Sequence, residues 1–325
     1  MSEATLTPTP ARTLSQAPEI SIVIPVYNEA QNLPLLFDRL TAVADKLGRP
    51  TEIVFTDDGS KDNSLELLKS FVEKRPDLIR VVEFDRNYGQ HMAVMAGLET
   101  ARGEIVVTLD ADLQNPPEEI PKLIAEMDAG HDVVGSYRRD RQDSIFRTLP
   151  SRLINLIRER ITGIQMRDQG CMLRAYRRSI VRIIVESGET STFIPALAQF
   201  YAERPSEVEV EHAARHAGVS NYNLYKLIRL NFDLMTGFSL VPLQVFTMVG
   251  MAVSGGSLLL VVYMLLRRIF IGPEVEGIFT LFAILFFLLG VVITGLGIVG
   301  EYVGRIYQQI RHRARFRIRA IHEKT

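Results

Sequence analysis

Two aspartates spaced as metal ligands, Asp110 and Asp112, follow directly after the β-rich run 104–109. Their carboxylate oxygens are the hard ligands that Mg²⁺ and Mn²⁺ prefer, and either ion can bridge and neutralise a diphosphate. The Asp-Ala-Asp sequence therefore predicts a site for Mg²⁺ or Mn²⁺ and, through the metal, for a diphosphate.

Other acidic side chains follow earlier β-rich runs. Glu29 comes after the run 20–26, and Asp57 and Asp58 come after the run 52–56. These acids can accept hydrogen bonds from the imide N–H and the ribose hydroxyls of a nucleotide. For any one acid alone, the N-cap of a helix stays open as the alternative. Three acidic groups at one sheet edge favour a nucleotide site.

Arginines that could bind phosphate occur downstream. Arg138, Arg139 and Arg141 follow the fifth β-rich run, and Arg215 begins the sequence Arg-His-Ala-Gly-Val-Ser-Asn-Tyr. The planar guanidinium group can bind two phosphate oxygens at once. We expect these arginines to bind phosphate, with a solvated loop as the alternative for 138–141.

The elements that must position these residues alternate along the chain. Strands are expected at 20–26, 52–56, 79–84, 104–109 and 132–136. Helices are expected at 29–46, 62–74, 89–101 and 116–128. This alternation predicts an α/β fold, in which helices cover both faces of a mostly parallel sheet. Ligands of such sheets bind at the carboxyl ends of the strands, where the acids fall.

Two long uncharged runs, 238–266 and 277–300, stand near the C-terminus. Each exceeds the roughly 20 residues that a helix needs to cross a bilayer core of about 30 Å. We predict a transmembrane hairpin over 238–304, with a pair of buried core helices as the alternative. The segment after it holds six arginines and the hairpin loop holds two, so the positive-inside bias puts the N-terminal body and both termini in the cytoplasm.

The net charge of −1 is the sum of two unlike parts. Residues 238–325 carry nine basic and four acidic side chains, whereas the remainder carries 28 and 34. This division, with a length of 325 residues, predicts an acidic body joined to a basic membrane-associated end. The composition excludes the basic excess of a nucleic-acid binder, and the single Cys171 excludes an internal disulfide and a cysteine-based zinc cluster.

Three further segments carry weaker signals. Residues 1–18 are rich in Thr, Pro and Ala and predict a flexible tail without a cleavable signal peptide. The Gly-x-Gly-x-x-Gly sequence at 295–300 lies inside an apolar run, so we interpret it as a helix-packing face. In the basic tail 305–325, Arg alternates with apolar residues from 311 to 319; a strand is possible, but we favour a segment that contacts anionic headgroups.

The motifs around the acids resemble those of the GT-A glycosyltransferases of family 2 that transfer sugars to polyprenyl phosphates. The resemblance spans about residues 19–312 and rests on Val-Ile-Pro-Val-Tyr-Asn-Glu ending at Glu29, Thr-Asp-Asp-Gly-Ser ending at Ser60, and Leu-Asp-Ala-Asp-Leu-Gln ending at Gln114. It implies a cytoplasmic, Rossmann-like GT-A domain at 19–237, a multi-pass protein of the bacterial inner membrane, and a homo-oligomer, a tetramer in the family.

A second set of motifs resembles the members that transfer 4-deoxy-4-formamido-L-arabinose from its UDP donor to undecaprenyl phosphate. These motifs lie at 86–91, 114–119, 141–144, 170–178 and 191–195. The resemblance implies a role in lipid A modification and resistance to polymyxin and other cationic peptides. A glucosyl- or mannosyltransferase using UDP-glucose or GDP-mannose stays open, and so does a non-catalytic nucleotide-binding membrane module.

The resemblance also implies roles for individual residues. The uridine would be held by Pro25, Tyr27, Glu29, Thr56 and Asp58. The diphosphate and its metal would be held by Asp110, Ala111 and Asp112, with Asp112 as the main ligand. Arg138 and Arg215 would hold the donor or acceptor phosphate. Asn221 stands where the family usually has a lysine, so anion binding in that loop rests more heavily on Arg215.

A lipid monophosphate acceptor simplifies the chemistry. Its second pKa is about 6, so it is largely dianionic at neutral pH and needs no strong general base. We expect a single inverting displacement in which the metal at Asp112 takes up charge on the leaving UDP. Asp168 is expected near the reacting centre, with a turn cap as the alternative. Residues 150–161 and 222–238 could lie at the membrane surface or pack as ordinary amphipathic helices.

Overall fold

The computed structural model describes residues 17–138, 166–168, 170–187, 193–211, 240–272, 278–310 and 315–324. The chain divides into two compact units. The first comprises Met1–Arg147, Ile164–Asn221 and Arg313–Thr325, and the second comprises Thr148–Gly163 and Tyr222–His312. The C-terminal end of the chain therefore belongs to the same unit as the predicted α/β body.

The described strands of the first unit form one eight-stranded sheet in the order β7-β5-β6-β4-β1-β2-β3-β8. The strands are β1 Ile20–Val26, β2 Thr51–Asp57, β3 Ile79–Phe84, β4 Ile105–Thr108, β5 Val133–Arg138, β6 Arg174–Arg177, β7 Pro205–Val210 and β8 Ile318–His322. Strands β4, β1, β2 and β3 are parallel, as are β5 and β7, whereas β6 and β8 are antiparallel to their neighbours. The predicted α/β architecture with a mostly parallel sheet is confirmed.

Helices connect these strands. They are α1 Leu33–Leu47, α2 Ser64–Lys74, α3 Gln90–Thr100, α4 Ile120–Asp128, α5 Arg178–Glu186 and α6 Ile194–Tyr201. All four predicted helices exist, but two of them, α1 and α4, begin four residues later than expected. A turn closed by Asn32 N–H donating to Glu29 O precedes α1. A 3₁₀ turn precedes α4, because Pro121 at the start of that helix has no N–H to continue a ladder.

Apolar side chains cover both faces of the central strands. All seven residues of β1 are buried, and Ile22 and Ile24 belong to the apolar cluster that includes Leu36 and Leu40 of α1. On the other face α3 approaches closely, since a Cβ on Gly97 would lie 2.2 Å from Val23 Cγ1. Both layers hold β1 rigidly, and its carboxyl end carries the first predicted binding motif.

The tail strand β8 corrects one expectation. The preference for a headgroup-binding segment over a strand at 311–319 was wrong for its last two residues, because both belong to β8: Ile318 pairs with Phe84 of β3, and Arg319 lies where the register shifts. An unpaired β3 edge would expose a row of backbone groups, and β8 covers it. Phe316 also stacks on Phe84 with ring centroids 5.2 Å apart. Residues 311–314 lie outside the described part of the chain.

The second unit contains two long helices, α7 Val241–Phe270 and α8 Ile278–Ile310. A Cβ on Gly295 would lie 2.3 Å from the ring of Phe246, so the predicted helix-packing face is confirmed at that glycine. A Cβ on Gly297 or Gly300 would have nothing within 4 Å, so the prediction is not confirmed at these two positions. Within the described residues one helix is long and apolar enough to cross a membrane, with its span at Phe287–Gly304; α7 holds a shorter apolar segment, Leu243–Val253. One of the two predicted spans thus passes this test.

Candidate active site

The carboxyl ends of β1, β2 and β4 form one rim of the sheet. Asp58 N–H donates to Val26 O at 2.8 Å, so the residue after β2 lies against the end of β1. Leu109 N–H donates to Val23 O at 3.0 Å, which brings the segment after β4 to the same place. The three acidic motifs that lie far apart in the sequence therefore meet, as parallel pairing requires.

The loop after β1 is joined to the loop after β2. Asn28 has a left-handed backbone, φ 56°, which asparagine tolerates better than most residues. Its side-chain oxygen accepts a hydrogen bond from Lys61 N–H, and its own N–H donates to Ser60 Oγ. Glu29 N–H donates to Ser64 Oγ at 2.9 Å. These contacts fix the backbone on which Tyr27 and Glu29 are carried.

The predicted uridine residues occupy two depths. Tyr27 is 41% exposed at the rim, and Glu29 is half-buried and accepts a hydrogen bond from Asn32. Pro25 and Thr56 are buried within their strands. The Thr56 hydroxyl lies beneath α3 and has no hydrogen-bond partner among the described residues. Of these four side chains, only those of Tyr27 and Glu29 therefore reach the surface of the rim.

Asp58 links β2 to the loop before α3. Its two carboxylate oxygens accept hydrogen bonds from Tyr88 N–H at 2.6 Å and Gly89 N–H at 2.9 Å. Burial raises the pKa of Asp58, because these two hydrogen bonds do not fully replace water. Asp58 is 1% exposed, and each of its carboxylate oxygens can accept more than one hydrogen bond, so acceptor capacity remains for a ligand.

Asp57 has a different role. One of its oxygens accepts from Ser60 N–H at 3.2 Å, which closes the turn after β2, and the other has no partner within the described residues. Burial raises the pKa of this carboxyl too. Asp57 therefore closes a turn and is not the N-cap of a helix, since the N-cap position of α2 is Asn63. The turn requires Gly59, where φ is +67° and a Cβ would lie 2.5 Å from the backbone of Arg86.

The Asp-Ala-Asp segment presents its two carboxylates and buries the alanine between them. Asp110 and Asp112 are half-buried, whereas Ala111 is 4% exposed. Gln90 at the start of α3 donates to Asp110 Oδ1 at 2.7 Å. Asp112 Oδ1 accepts from Gln114 N–H at 3.1 Å across the left-handed Leu113, φ 60°. Both carboxylates are therefore oriented by neighbours that sequence reasoning did not assign to this task.

These oxygens fit a hard divalent cation. Among the described residues there is no cluster of three or more His, Cys, Asp or Glu side chains that would enclose a metal by itself. Mg²⁺ is commonly held by one or two carboxylates, with substrate phosphates and water completing its shell. The donor set of Asp110 and Asp112 matches this arrangement, in which the metal binds together with a diphosphate.

Arg138 and Asp168 form a bidentate ion pair. Arg138 Nε donates to Asp168 Oδ2 at 2.6 Å and Nη2 donates to Oδ1 at 3.1 Å. The Asp168 side chain is 4% exposed, and that of Arg138 is 28% exposed. Two residues predicted separately are thus in contact. Other predicted residues lie outside the described part of the chain: Arg139, Arg141, Arg215, Asn221 and the segments 150–161 and 222–238.

A buried polar chain connects the segment after Asp112 with the segment after Asp168. Cys171 donates from Sγ to Asn115 Oδ1 at 3.3 Å and contacts Ser136 Oγ at 2.8 Å, and Ser136 donates to Leu173 O. Burial raises the pKa of the Cys171 thiol, which keeps it protonated and unreactive. Contacts between residues so distant in sequence leave no local signal, and sequence reasoning missed them.

Comparisons with known proteins identify the family. Residues 21–185 match the model of "Glycosyl transferase family 2". The chain is 48% identical over 93% of its length, and 94% of the relative's, to an undecaprenyl-phosphate 4-deoxy-4-formamido-L-arabinose transferase of Serratia proteamaculans; identity to the Salmonella paratyphi A protein of that name is 46%, with 93% of each chain covered. A solved glucosyl-3-phosphoglycerate synthase from Mycobacterium tuberculosis is 18% identical with a TM-score of 0.46, covering 67% of this chain and 78% of that one. The chain belongs to glycosyl transferase family 2.

Proposed function

We propose that this glycosyltransferase moves 4-deoxy-4-formamido-L-arabinose from its UDP donor to undecaprenyl phosphate by a single inverting displacement. The observation that carries the proposal is the 48% identity, over 93% of the chain, to relatives named for that transfer. The rim of acidic residues is consistent with it, because a nucleotide diphosphate needs both hydrogen-bond acceptors and a metal site. A glucosyl- or mannosyltransferase remains the competing function.

The donor binds along the rim of β1, β2 and β4. Tyr27 supplies an exposed ring for the uracil, and Asp58 and Glu29 supply carboxylate acceptors for the imide N–H and the ribose hydroxyls. Pro25 has no polar side-chain atom and the Thr56 hydroxyl lies beneath α3, so both residues shape the floor rather than contact the nucleoside from above. The uridine is therefore recognised mainly by acceptors that hydrogen bonds within the protein hold in place before the donor arrives, from backbone N–H groups for Asp58 and from the Asn32 side chain for Glu29.

The diphosphate lies at the Asp-Ala-Asp segment. Asp110 and Asp112 would hold Mg²⁺ or Mn²⁺, and the bound ion supplies positive charge beside the leaving diphosphate. Gln90 keeps the Asp110 carboxylate turned toward the start of α3, and the Gln114 N–H fixes one oxygen of Asp112. These two contacts limit the reorganisation that charge development on the leaving group requires.

The acceptor phosphate supplies its own nucleophile. A dianionic monophosphate oxygen can attack the anomeric carbon without transferring a proton to the protein, so the task of the chain is to hold two anions together. Arg138 is the described cation suited to this task, and Asp168 fixes its plane. We assign Arg215 the same function on the resemblance of its motif.

Undecaprenyl phosphate stays in the bilayer, and α7 with α8 would form a membrane hairpin that brings the enzyme to it. The apolar span at Phe287–Gly304 supports one crossing. In this proposal the catalytic unit and both termini face the cytoplasm at the bacterial inner membrane, and the chain assembles as a homo-oligomer, a tetramer. The transferred sugar then serves lipid A modification, which lowers the negative charge of the cell surface and resists cationic peptides.

A donor panel tests the sugar assignment. The purified full-length protein is incubated with undecaprenyl phosphate, Mg²⁺ and equal concentrations of UDP-4-deoxy-4-formamido-L-arabinose, UDP-glucose or GDP-mannose, and lipid-linked sugar is measured. We expect the highest kcat/KM for the first donor. A higher kcat/KM for UDP-glucose or GDP-mannose would establish the competing function instead.

A further inference from the structure

The ion pair between Arg138 and Asp168 fixes the direction of the guanidinium group. The carboxylate accepts hydrogen bonds from both Nε and Nη2, and these two bonds together fix the plane of the guanidinium group. Gly170 leaves room for this arrangement, since a Cβ there would lie 3.3 Å from Arg138 Nη2. A cation used for bidentate phosphate binding must have its plane fixed in this way.

Asp168 is itself held by its surroundings. Besides the two bonds from Arg138, its Oδ1 accepts a hydrogen bond from Gly170 N–H at 3.0 Å. The residue is 3% exposed. A carboxylate that is buried and already accepts from a guanidinium and a backbone N–H is well placed to orient the arginine and poorly placed to remove a proton from a substrate.

A second arginine supports the same segment from beneath. Arg174, which is 1% exposed, donates to Asp168 O at 2.7 Å and to Cys171 O at 3.0 Å, and contacts Met166 Sδ at 3.8 Å. A buried guanidinium that bonds main-chain carbonyls fixes the path of the backbone. Arg174 begins β6, so it ties this path to the sheet.

We propose that Asp168 is a positioning residue that acts on phosphate binding through Arg138, and that Arg174 positions Asp168 in turn. This inference deepens the proposed function, on which it rests. It assigns Asp168 no proton transfer: the acceptor oxygen attacks as an anion, the bond from the anomeric carbon to UDP breaks, and the guanidinium stays charged throughout. The inference rests on the burial of the Asp168 carboxylate and on its hydrogen bonds with Arg138 and Gly170.

A double-mutant cycle in binding tests it. Affinities of the full-length protein in detergent are measured by calorimetry for two probes, UDP with Mg²⁺ and farnesyl phosphate, in the variants Arg138→Ala, Asp168→Ala and the double variant. Arg138→Ala should weaken at least one probe about 10- to 100-fold, as expected for the loss of charge-assisted hydrogen bonds. For that probe, Asp168→Ala should cause a comparable loss, and the double variant should bind no worse than Arg138→Ala.

Three results would overturn the inference: losses that multiply in the double variant, unchanged affinity for both probes in Arg138→Ala, or unchanged affinity in Asp168→Ala. Asp168→Asn, close in shape, guards against misfolding, and it should bind between the wild type and Asp168→Ala because its amide oxygen still accepts from Arg138. If Asp168 were a base, Asp168→Asn would abolish turnover at every pH and leave both affinities intact.

The control is Asp45→Asn, which weakens another ion pair of the same kind, that of Asp45 with Arg75 at 3.0 Å, and should leave both affinities unchanged. Circular dichroism checks that every variant is folded. The binding cycle does not require turnover. A wild type that transfers no sugar would therefore refute the proposed function, whereas independent losses at Arg138 and Asp168 would refute the positioning role alone.

Discussion

At the scale of single residues, the site is made of acids whose environments differ. Asp110 and Asp112 are half-buried and suited to a metal, Asp58 is buried with two backbone N–H donors, and Asp168 is neutralised by an arginine. In the proposed function, the same side-chain chemistry serves metal binding, nucleoside recognition and the positioning of a cation. Burial and hydrogen-bond partners determine which role each carboxylate takes.

The raised pKa of Asp58 gives nucleoside binding a pH dependence. Burial lifts the pKa above the ordinary value of 3.8, so the carboxylate becomes protonated at a higher pH than a free aspartate. In the proposed function the ionised form accepts the imide N–H, so the affinity for uridine should fall as the pH decreases from 7 toward 4. Uridine is the suitable probe because it has no phosphate that titrates in this range.

Two variants separate Asp58 from its neighbour in this titration, measured by calorimetry. Asp58→Asn should weaken uridine binding about tenfold at pH 7 and remove most of the pH dependence. Asp57→Asn should keep the dependence with its midpoint moved to lower pH, because the Asp57 charge contributes to the raised pKa of Asp58. A pH dependence that persists unchanged in Asp58→Asn would refute the assignment.

At the scale of elements, the C-terminal strand β8 depends on a buried glutamate of β3. Glu83 is 5% exposed and accepts hydrogen bonds from His322 at 2.8 Å and Arg319 at 3.2 Å, while Lys69 lies 3.4 Å away. Burial favours the protonated form, but these partners outweigh it and lower the pKa of Glu83. The basic side chains of β8 therefore face an acidic side chain on the strand that β8 covers.

Glu83→Gln should destabilise the first unit at pH 7 by about 1–3 kcal/mol, the usual range for hydrogen bonds to a charged group. Because the folded-state pKa is lowered, the stabilisation is present above the ordinary value of 4.5 and is lost as the pH falls through the folded-state pKa. The wild type should therefore lose more stability on acidification than the variant does. The stability of each protein is measured by thermal unfolding, followed by circular dichroism, at a series of pH values. Glu73→Gln, at an exposed position, is the control. If the wild type and Glu83→Gln lost equal stability on acidification, the role of Glu83 would be contradicted.

At the scale of the whole molecule, local sequence patterns predicted the features that depend on residues close together in the sequence. The five strands up to Ser136 and the Asp-Ala-Asp segment follow from periodicity and strand order. The pairing of β8 with β3 joins residues more than 200 positions apart, and the bond from Gln90 to Asp110 spans 20. Neither contact can be predicted from a local pattern, because residues distant in sequence become neighbours only when the sheet has formed. For the same reason, the sequence did not predict the hydrogen bonds of Arg174 or those of Cys171.

The whole chain combines a unit that contains most of the match to glycosyl transferase family 2 with a unit that contains a helix long and apolar enough to cross a membrane. We propose above that the residues at the rim of the sheet bind a UDP-sugar, and that the enzyme transfers its sugar to a lipid phosphate. The most direct test is mass spectrometry of the lipid fraction after the full-length protein is incubated with UDP-4-deoxy-4-formamido-L-arabinose, undecaprenyl phosphate and Mg²⁺ or Mn²⁺. We predict the intact glycosyl phosphodiester of undecaprenol, and about 10²- to 10³-fold less of it with Asp112→Ala, whose amount in the membrane fraction should not change. Absence of the lipid product with the wild type, or full activity of Asp112→Ala, would contradict the account.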